Sequence, residues 1–382
     1  MSASVLELAI QPRNPALGMH PLELKKPAET PPASAFRMIV YGRIKGEYRY
    51  MASLPLLPHS SPRLVGIARL ASHSDTVGRG HEVEYFALPA KSLLNRCTST
   101  RMPFAWTINP YRGCEFACKY CYARYTHEFM EMRDGIEFEQ KIYAKQHAAD
   151  LLRQELRQVK PGEDIALGTA TDPYQPLEKK LEITRSILEE FARHSGLEIG
   201  IVTKSTMVTR DTDLLAEIAK RNQLYVNLTI TTTDAVLARI FEPRAPRPDL
   251  RLEALKKLRD ARIRAGVICA PVLPGITDAP AQLEDVVRMA AAAGACHVRC
   301  NPLFLKPCSA AVFLPFLKEH FPELVPGYEK RFASQAFLPA AYRKRISDLF
   351  SKLRAKYRIS RDSGWHWESP KGSDVQLQLF HP

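Results

Sequence analysis

The chain has 382 residues, of which 45% are hydrophobic and 25% charged, as in an ordinary globular enzyme. Its eight cysteines are too few for a disulfide scaffold, and no apolar run reaches the roughly 18 residues that span a bilayer. The N-terminus lacks a basic region followed by an apolar one, so we expect a cytoplasmic protein with no membrane partner.

The formal net charge is +13. A surplus of this size indicates a polyanionic partner, with nucleic acid as the leading candidate, and DNA in particular. The alternative is a generally basic surface that has no specific partner.

The first part of the chain is rich in proline and poor in periodicity, as in KKPAETPPASAF. We expect residues 1–80 to form a flexible N-terminal extension.

Beyond residue 100, short apolar or β-branched runs alternate with amphipathic stretches. The predicted strands are 105–109, 164–169, 198–203, 224–230, 266–272 and 296–301, and the predicted helices are 141–159, 181–194, 211–221, 250–264 and 281–293. In the fourth helix, Leu252, Leu255 and Leu258 would line one face. The pattern predicts an α/β fold with a parallel sheet curled into a partial (β/α)6 TIM-like barrel over residues 81–310.

The sequence after residue 310 is helical and basic, as in AAYRKRISDLFSKLRAKYR. It predicts a small helical C-terminal cap over residues 311–370, followed by a tail over 371–382. In the barrel, functional residues are expected in the loops that follow the strands.

The first of these loops contains Cys114, Cys118 and Cys121, spaced C-x3-C-x2-C. Three soft thiolates within eight residues can converge on one metal centre. A 4Fe–4S cluster normally takes four thiolates, so three would leave one iron open for chemistry. A Cys3His zinc site that includes His127 is the alternative.

The strings NPYRGCEFACKYCYARYTHEF, GTATDPYQPLEKK, TKSTMVTRD, FEPRAPRPDLRL and PVLPGITD resemble the radical S-adenosylmethionine (SAM) superfamily, in its branch related to spore photoproduct lyase. The resemblance covers roughly residues 80–310. It implies a 4Fe–4S cluster on the three cysteines, reductive cleavage of SAM to a 5′-deoxyadenosyl radical, and an electron donor such as flavodoxin or ferredoxin.

The resemblance also assigns the cofactor-binding residues. Tyr120 and Tyr122 would flank SAM, while Thr169 and Asp172 would lie near its methionine amino group. Lys204 would pair with the carboxylate, and the carboxylate or ribose would be bonded by Thr229 and Thr231. Asp172 could instead be a turn residue, and Lys204 a surface lysine.

Spore photoproduct lyase repairs a thymine dimer with a cysteine near its second-strand loop as hydrogen donor. Here that loop reads GTATDPYQP, and no cysteine occurs between Tyr122 and Ile268. A different donor, such as Tyr174 as a catalytic residue, or another reaction must be considered.

The remaining cysteines carry a weaker signal. Cys296, Cys300 and Cys308 could bind a second metal, although Cys296 and Cys300 have the spacing of small core residues on one strand face. Cys97 and Cys269 indicate only packing.

The segment EPRAPRPDLR places Arg244, Arg247 and Arg251 among three prolines. Guanidinium groups are suited to phosphate, so this loop could contact the substrate. The alternative is a structural loop in which Glu242 pairs with a neighbouring arginine.

The tail contains Gln376, Leu377, Leu379 and Phe380 in the string QLQLF. This string resembles the peptide with which bacterial polymerases and repair proteins dock on the sliding clamp. An amphipathic end without a partner is the alternative.

Together these features predict a radical SAM enzyme, with lyase as one reaction class, that acts on nucleic acid in DNA repair or modification. One alternative is the same chemistry on a protein or small metabolite. The other is a non-enzymatic, zinc-stabilised nucleic-acid-binding protein.

Overall fold

The computed structural model describes residues 64–80, 82–98 and 104–360, and the backbone of two strands over 37–44 and 47–55. The chain divides into two compact units, residues 1–64 and 65–382. In the first unit the two strands form an antiparallel pair, with a register shift between Val40 and Tyr41.

The strands are numbered in chain order. They are β1 (Arg37–Ile44), β2 (Glu47–Pro55), β3 (Asp75–Gly80), β4 (Val83–Leu88), β5 (Leu94–Arg96), β6 (Trp106–Ile108), β7 (Tyr111–Arg112), β8 (Lys141–Lys145), β9 (Asp164–Leu167), β10 (Glu198–Thr203), β11 (Gln223–Thr229), β12 (Ala265–Val272) and β13 (Val298–Pro302).

The helices are numbered in the same way. They are α1 (Gly66–Ser72), α2 (Tyr125–Glu128), α3 (Glu137–Gln140), α4 (Ala148–Glu155), α5 (Glu178–Leu181), α6 (Ile183–Ala192), α7 (Thr212–Arg221), α8 (Ala235–Phe241), α9 (Pro248–Asp260), α10 (Pro280–Ala292), α11 (Pro307–His320), α12 (Val325–Phe332) and α13 (Ala340–Tyr357).

The main sheet has seven strands in the order β13-β12-β11-β10-β9-β6-β5. Strands β6 and β9 to β13 are parallel, and β5 pairs antiparallel to β6 at one edge. The six parallel strands coincide with the six predicted from the sequence. The chain therefore has the predicted α/β fold with a parallel sheet, which among the described residues ends at β5 and β13.

One predicted helix begins too early. Residues 141–145, which we expected at the start of a helix over 141–159, form β8, and α4 begins only at Ala148. Ile142, Tyr143 and Ala144 are buried because β8 lies between β4 and β7 in a second, four-stranded sheet. Cross-strand pairing with chain segments far away in sequence overrides the local helical pattern here.

The segment 1–80, for which we expected an extension, contains secondary structure where it is described. Helix α1 and strand β3 lie in the second unit, and β3 pairs with β4 at the edge of the four-stranded sheet. No helix in the described part of the chain is long and apolar enough to cross a membrane.

The main core lies between the parallel sheet and the helices packed against it. Leu252, Leu255 and Leu258 of α9 are buried in it, as their spacing predicts. A second hydrophobic cluster lies beyond the carboxyl ends of the strands and joins the cysteine loop to the helices that follow β13. The parallel strands therefore direct their following loops to one edge, where the candidate site lies.

Candidate active site

The loop that carries the three cysteines begins at a glycine that has no room for a side chain. Gly113 has a φ of +81°, and a Cβ there would lie 2.7 Å from the Lys141 carbonyl oxygen and 2.8 Å from that of Phe138. The next residue, Cys114, donates its N–H to the Phe138 carbonyl at 2.9 Å. Close backbone approach therefore holds the first cysteine against the segment that leads into β8.

Glu115 anchors the loop from a second side. Its buried carboxylate accepts hydrogen bonds from the Tyr85 hydroxyl and the Leu177 N–H, both at 2.8 Å. Its own N–H donates to the Gln175 side chain at 3.0 Å. Glu115 thus ties the cysteine loop to β4 and to the loop after β9.

Two carbonyl groups of the loop are satisfied by side chains. The guanidinium of Arg124, which is buried and paired with Glu139 at 2.6 Å, donates to the Cys118 carbonyl at 3.0 Å. The Ser309 hydroxyl of α11 donates to the Cys121 carbonyl at 2.8 Å. These bonds leave the loop with little conformational freedom.

The three cysteines have free thiols in the second hydrophobic cluster, where Cys118 is buried and Cys114 and Cys121 are half-buried. Burial raises the pKa of all three thiols, that of Cys118 to about 12, and the nearby sulfurs raise the pKa of Cys114 further. A metal that bound there would deprotonate them. In the described part of the chain, no group of three or more Cys, His, Asp or Glu side chains is arranged to hold a metal ion. Binding of a 4Fe–4S cluster by these three cysteines therefore stays a prediction. Their chemistry fits it, because thiolates are the usual ligands of such a cluster.

His127, the fourth ligand of the zinc alternative, is engaged elsewhere. Its Nε2 lies 3.0 Å from the Lys141 carbonyl oxygen, and its ring packs against Phe138 and Tyr143. Burial lowers its pKa to about 4. A buried ring held by these contacts does not favour a Cys3His site.

Tyr120 and Tyr122 point their hydroxyls to different strands. Tyr120 donates to the Glu242 carboxylate and also lies 3.0 Å from the Thr231 hydroxyl. Tyr122 donates to the Thr169 carbonyl. Four residues of the predicted cofactor site are thereby joined in two pairs, Tyr120 with Thr231 and Tyr122 with Thr169.

Asp172 holds the loops after β9 and β10 together. Its carboxylate accepts from the Thr203 hydroxyl at 2.6 Å, the Lys204 N–H at 2.7 Å and the Tyr174 N–H at 2.9 Å. Burial nevertheless raises its pKa. The turn role and the cofactor role are compatible, since a carboxylate offers about four acceptor sites.

Lys204 lies half-buried beside the cysteines. Its ammonium is 5.7 Å from the centre of the Tyr120 ring, and it makes no salt bridge with the residues that the structure describes. Burial lowers its pKa, but Cys118, Glu242 and Cys121 outweigh burial and raise it. Lys204 therefore lies near the predicted cluster ligands, and its pairing with the SAM carboxylate stays a prediction.

The threonines of the predicted site have protein partners. The Thr169 hydroxyl lies 2.5 Å from that of Thr107. The Thr231 hydroxyl donates to the Ala270 carbonyl at 3.0 Å, and the Thr229 carbonyl accepts from Arg251 at 2.9 Å. These bonds tie the strand ends to one another.

In the segment EPRAPRPDLR, the arginine loop, one of the three arginines pairs with Glu242, as the structural alternative predicts. Arg251 is 1% exposed and forms a salt bridge with the equally buried Glu242, so it does not face a substrate. Arg244 pairs with Glu82 at 3.1 Å, and Arg247 pairs with Asp249 at 2.5 Å. Substrate contact by Arg244 and Arg247 stays a prediction.

Tyr174 lies in the main core, apart from the cluster that holds the cysteines. It is fully buried, its ring is 6.0 Å from the Arg210 guanidinium, and its hydroxyl points towards Asp211 without a hydrogen bond of normal geometry. This position does not favour Tyr174 as the hydrogen donor.

The cysteines outside the loop do not form a second cluster of three in the described residues. Cys300 lies opposite Cys269 in the register of β12 and β13, while Cys308 is the second residue of α11 and interacts with its neighbour Ser309. A second metal site on Cys296, Cys300 and Cys308 is thus not assembled in the described residues. The QLQLF tail lies outside the described residues.

Sequence reasoning did not single out several residues that position the site. They are Glu115, Arg124, Gln175 and, as a partner of Tyr120, Glu242. Glu115 lies inside the cysteine motif and Arg124 lies three residues after it. No sequence pattern shows that charged residues at these positions are buried.

A parallel sheet whose candidate ligands lie in loops at its carboxyl edge has the architecture of an α/β-barrel type of enzyme. Residues 108–290 match the family described as Radical SAM superfamily. The chain belongs to the radical SAM superfamily, and membership implies SAM and a 4Fe–4S cluster.

The chain is also similar to two proteins of known sequence. The uncharacterized protein Rv2578c of Mycobacterium tuberculosis is 35% identical over 299 residues, which cover 77% of this chain and 86% of that protein. The uncharacterized protein MJ0683 of Methanocaldococcus jannaschii is 31% identical over 198 residues, or 52% of this chain and 71% of that protein.

Among solved structures, spore photoproduct lyase complexed with dinucleoside spore photoproduct superposes with a TM-score of 0.54 at 15% identity. The match covers 74% of this chain and 85% of that one. A variant of the lyase with bound AdoMet and the same dinucleoside has a TM-score of 0.52 at 13% identity, with coverage of 71% and 78%. At this identity the likeness establishes the fold.

Proposed function

We propose that this radical SAM enzyme binds a 4Fe–4S cluster through Cys114, Cys118 and Cys121 and acts on nucleic acid. The observation that carries the proposal is the set of three free thiols on one anchored loop, with the Lys204 cation beside Cys118 and Cys121. When bound and reduced, the cluster supplies the electron that cleaves SAM to methionine and a 5′-deoxyadenosyl radical.

The residues around the cysteines have distinct roles in this proposal. Lys204 binds the SAM carboxylate as a point charge, and Asp172 binds the amino group with its remaining acceptor capacity. The hydroxyl and carbonyl groups of Thr169, Thr229 and Thr231 orient the ribose and methionine. Tyr120 and Tyr122 are positioning residues, because their hydroxyls already bond to Glu242 and Thr169.

Nucleic acid is the proposed substrate for two reasons. The net charge of +13 favours a polyanion. A structural neighbour was solved with a dinucleoside photoproduct, which makes a base or base lesion the first substrate class to test. With a base or base lesion as substrate, the proposed reaction is repair or modification of DNA, and a lyase reaction is one way to carry it out.

Photoproduct repair through a cysteine donor is not part of the proposal. The loop after β9 has no thiol. Its tyrosine, Tyr174, lies in the main core. We propose instead that the 5′-deoxyadenosyl radical takes a hydrogen atom from the substrate, and that the resulting 5′-deoxyadenosine returns one hydrogen atom to the product radical.

Two protein partners complete the proposal. An electron donor such as flavodoxin or ferredoxin would reduce the cluster. The peptide Gln376-Leu377-Gln378-Leu379-Phe380 would dock on the sliding clamp, and deletion of residues 376–382 should abolish co-elution with the clamp. Unchanged co-elution would refute the docking.

The cluster assignment is tested by replacing Cys118 with alanine. After anaerobic reconstitution, the natural protein should be brown and should form 5′-deoxyadenosine once reduced. Cys118→Ala should lose iron content, colour and SAM cleavage together, because only two thiolates remain in the loop.

The matched control is Cys97→Ala, which removes a half-buried thiol outside the loop. It should keep both colour and cleavage. A natural protein that binds one zinc and stays colourless, or a Cys118→Ala variant that keeps its colour, would overturn the assignment.

The substrate class is tested by following deuterium from labelled damaged and undamaged DNA into 5′-deoxyadenosine. Transfer only from a peptide or metabolite would exclude nucleic acid.

A further inference from the structure

Positive charge is concentrated in the helices that follow the sheet. Residues 325–360 contain nine lysines and arginines against two acidic residues, so more than half of the net charge of +13 lies in less than a tenth of the chain. This segment includes α12 and α13. It is separate from the arginine loop, whose side chains are engaged in ion pairs.

Both helices meet the edge of the sheet where the candidate site lies. In α12 the Tyr328 hydroxyl donates to the Pro274 carbonyl, in the loop after β12, at 2.8 Å. Tyr328 also belongs to the hydrophobic cluster that contains Cys118. In the first turns of α13, Tyr342 and Arg345 bond to Asp278 of the same loop at 2.9 and 2.7 Å.

The other end of α13 lies away from this edge. The Arg354 guanidinium donates to the carbonyl of Val298, the first residue of β13, and the Val298 N–H donates to Ser360. Since β13 runs towards the site, its first residue marks the opposite edge. The basic residues of α12 and of the first turns of α13 are therefore those nearest the site.

Three of these basic side chains, Lys330, Arg331 and Lys344, are exposed. Lys330 and Arg331 are exposed and form no salt bridge with the described residues. Lys344 is 74% exposed and pairs with Asp348 one turn away, which is 55% exposed. Surface pairs of this kind contribute only about 0–1 kcal/mol, so a phosphate can replace the acidic partner.

We infer that Lys330, Arg331 and Lys344 form a surface that binds the backbone of the nucleic acid while its target base reaches the cysteine loop. The inference rests on the proposed function. Neither α12 nor α13 exposes a large apolar side chain, which a membrane-binding helix would need. A polyanion requires only the charges, and each phosphate contact releases a counterion.

The test compares binding of a fluorescein-labelled 20-base-pair DNA duplex to the full-length, reconstituted protein by anisotropy across a salt series. The triple variant Lys330→Ala/Arg331→Ala/Lys344→Ala should weaken binding about tenfold or more near 0.1 M salt. It should also reduce the slope of log K against log salt by up to about three.

The control removes three exposed lysines towards the opposite edge of the sheet, as Lys220→Ala/Lys256→Ala/Lys257→Ala. It should change affinity less than about twofold. Equal losses in both triple variants would show a general charge effect and overturn the surface, as would unchanged binding in the first variant. If the first variant bound DNA normally but its cluster were reduced more slowly by flavodoxin, the surface would bind an acidic protein and the inference would be wrong.

Formation of 5′-deoxyadenosine without nucleic acid separates this inference from the proposed function. Both triple variants should form it at the natural rate, because no altered residue lies in the cysteine loop. If the natural protein cannot cleave SAM, the proposed chemistry fails, while the binding comparison still decides whether the surface exists.

Discussion

Glu242 and Arg251 form an ion pair in which each side chain is 1% exposed, and the Tyr120 hydroxyl donates to the same carboxylate. Burial alone would raise the pKa of Glu242, but Arg251 and Lys204 outweigh it and lower the pKa. The pair therefore connects the cysteine loop to the loop after β11 through a fully charged contact. Removal of one partner would leave the other charge buried without compensation.

We predict that Glu242→Gln destabilises the protein by about 3 kcal/mol or more, because Arg251 then loses its counter-charge. The measurement is the free energy of unfolding from urea titration. The control, Glu82→Gln, breaks the Arg244–Glu82 pair, whose side chains are 34% and 62% exposed, and should cost at most about 1 kcal/mol. Equal effects of the two changes would contradict the structural role of the buried pair.

Among elements, the cysteine loop depends on contacts that arrive from other segments. Its first cysteine bonds to Phe138, its glutamate to the loop after β9, and its last carbonyl to α11. All of these contacts are made by protein groups, so they would reduce the conformational entropy that the loop loses on binding a metal.

The cysteine loop has no room for a side chain at Gly113. Gly113→Ala should both destabilise the protein and lower iron content after reconstitution, because the new Cβ would lie 2.7 Å from the Lys141 carbonyl oxygen. Gly162→Ala is the matched control, since its φ of +80° is nearly the same but nothing lies within 4 Å of the added Cβ. It should cost only the strain of the left-handed conformation, about 1 kcal/mol, and keep its iron. Full iron content in Gly113→Ala would show that the loop can shift freely.

For the whole molecule, two buried histidines make stability depend on pH. Burial lowers the pKa of His127 to about 4 and that of His297 to about 3, from an ordinary value of 6.5. The unfolded chain takes up these protons at a higher pH than the folded protein does. The contribution to stability is therefore fully present above pH 6.5 and is lost progressively as the pH falls through 4 for His127 and through 3 for His297.

We expect the urea midpoint to decrease steadily from pH 7 to pH 5. His297→Phe should lower stability, since it loses a 2.8 Å contact with Asn227, but should flatten this pH dependence. His73→Phe, which alters an exposed ring, should leave the slope unchanged. An identical slope in the natural protein and in His297→Phe would exclude His297 as its source.

Much of the fold is predictable from the sequence, because strands and helices are encoded by local periodicity. All six parallel strands were expected, and Leu252, Leu255 and Leu258 lie on the buried face of α9. The predicted helix is wrong at 141–145 because these residues form β8, which pairs with β4 almost 60 positions away in the sequence.

The family, the parallel sheet and the loop with Cys114, Cys118 and Cys121 can all be predicted from the sequence, since they depend on short motifs and regular spacing. Which side chains support that loop is visible only in the folded chain. Tyr120 meets Glu242 across 122 positions, and Glu115 meets Leu177 across 62. Such pairings depend on how distant segments pack, and spacing along the chain carries no information about them.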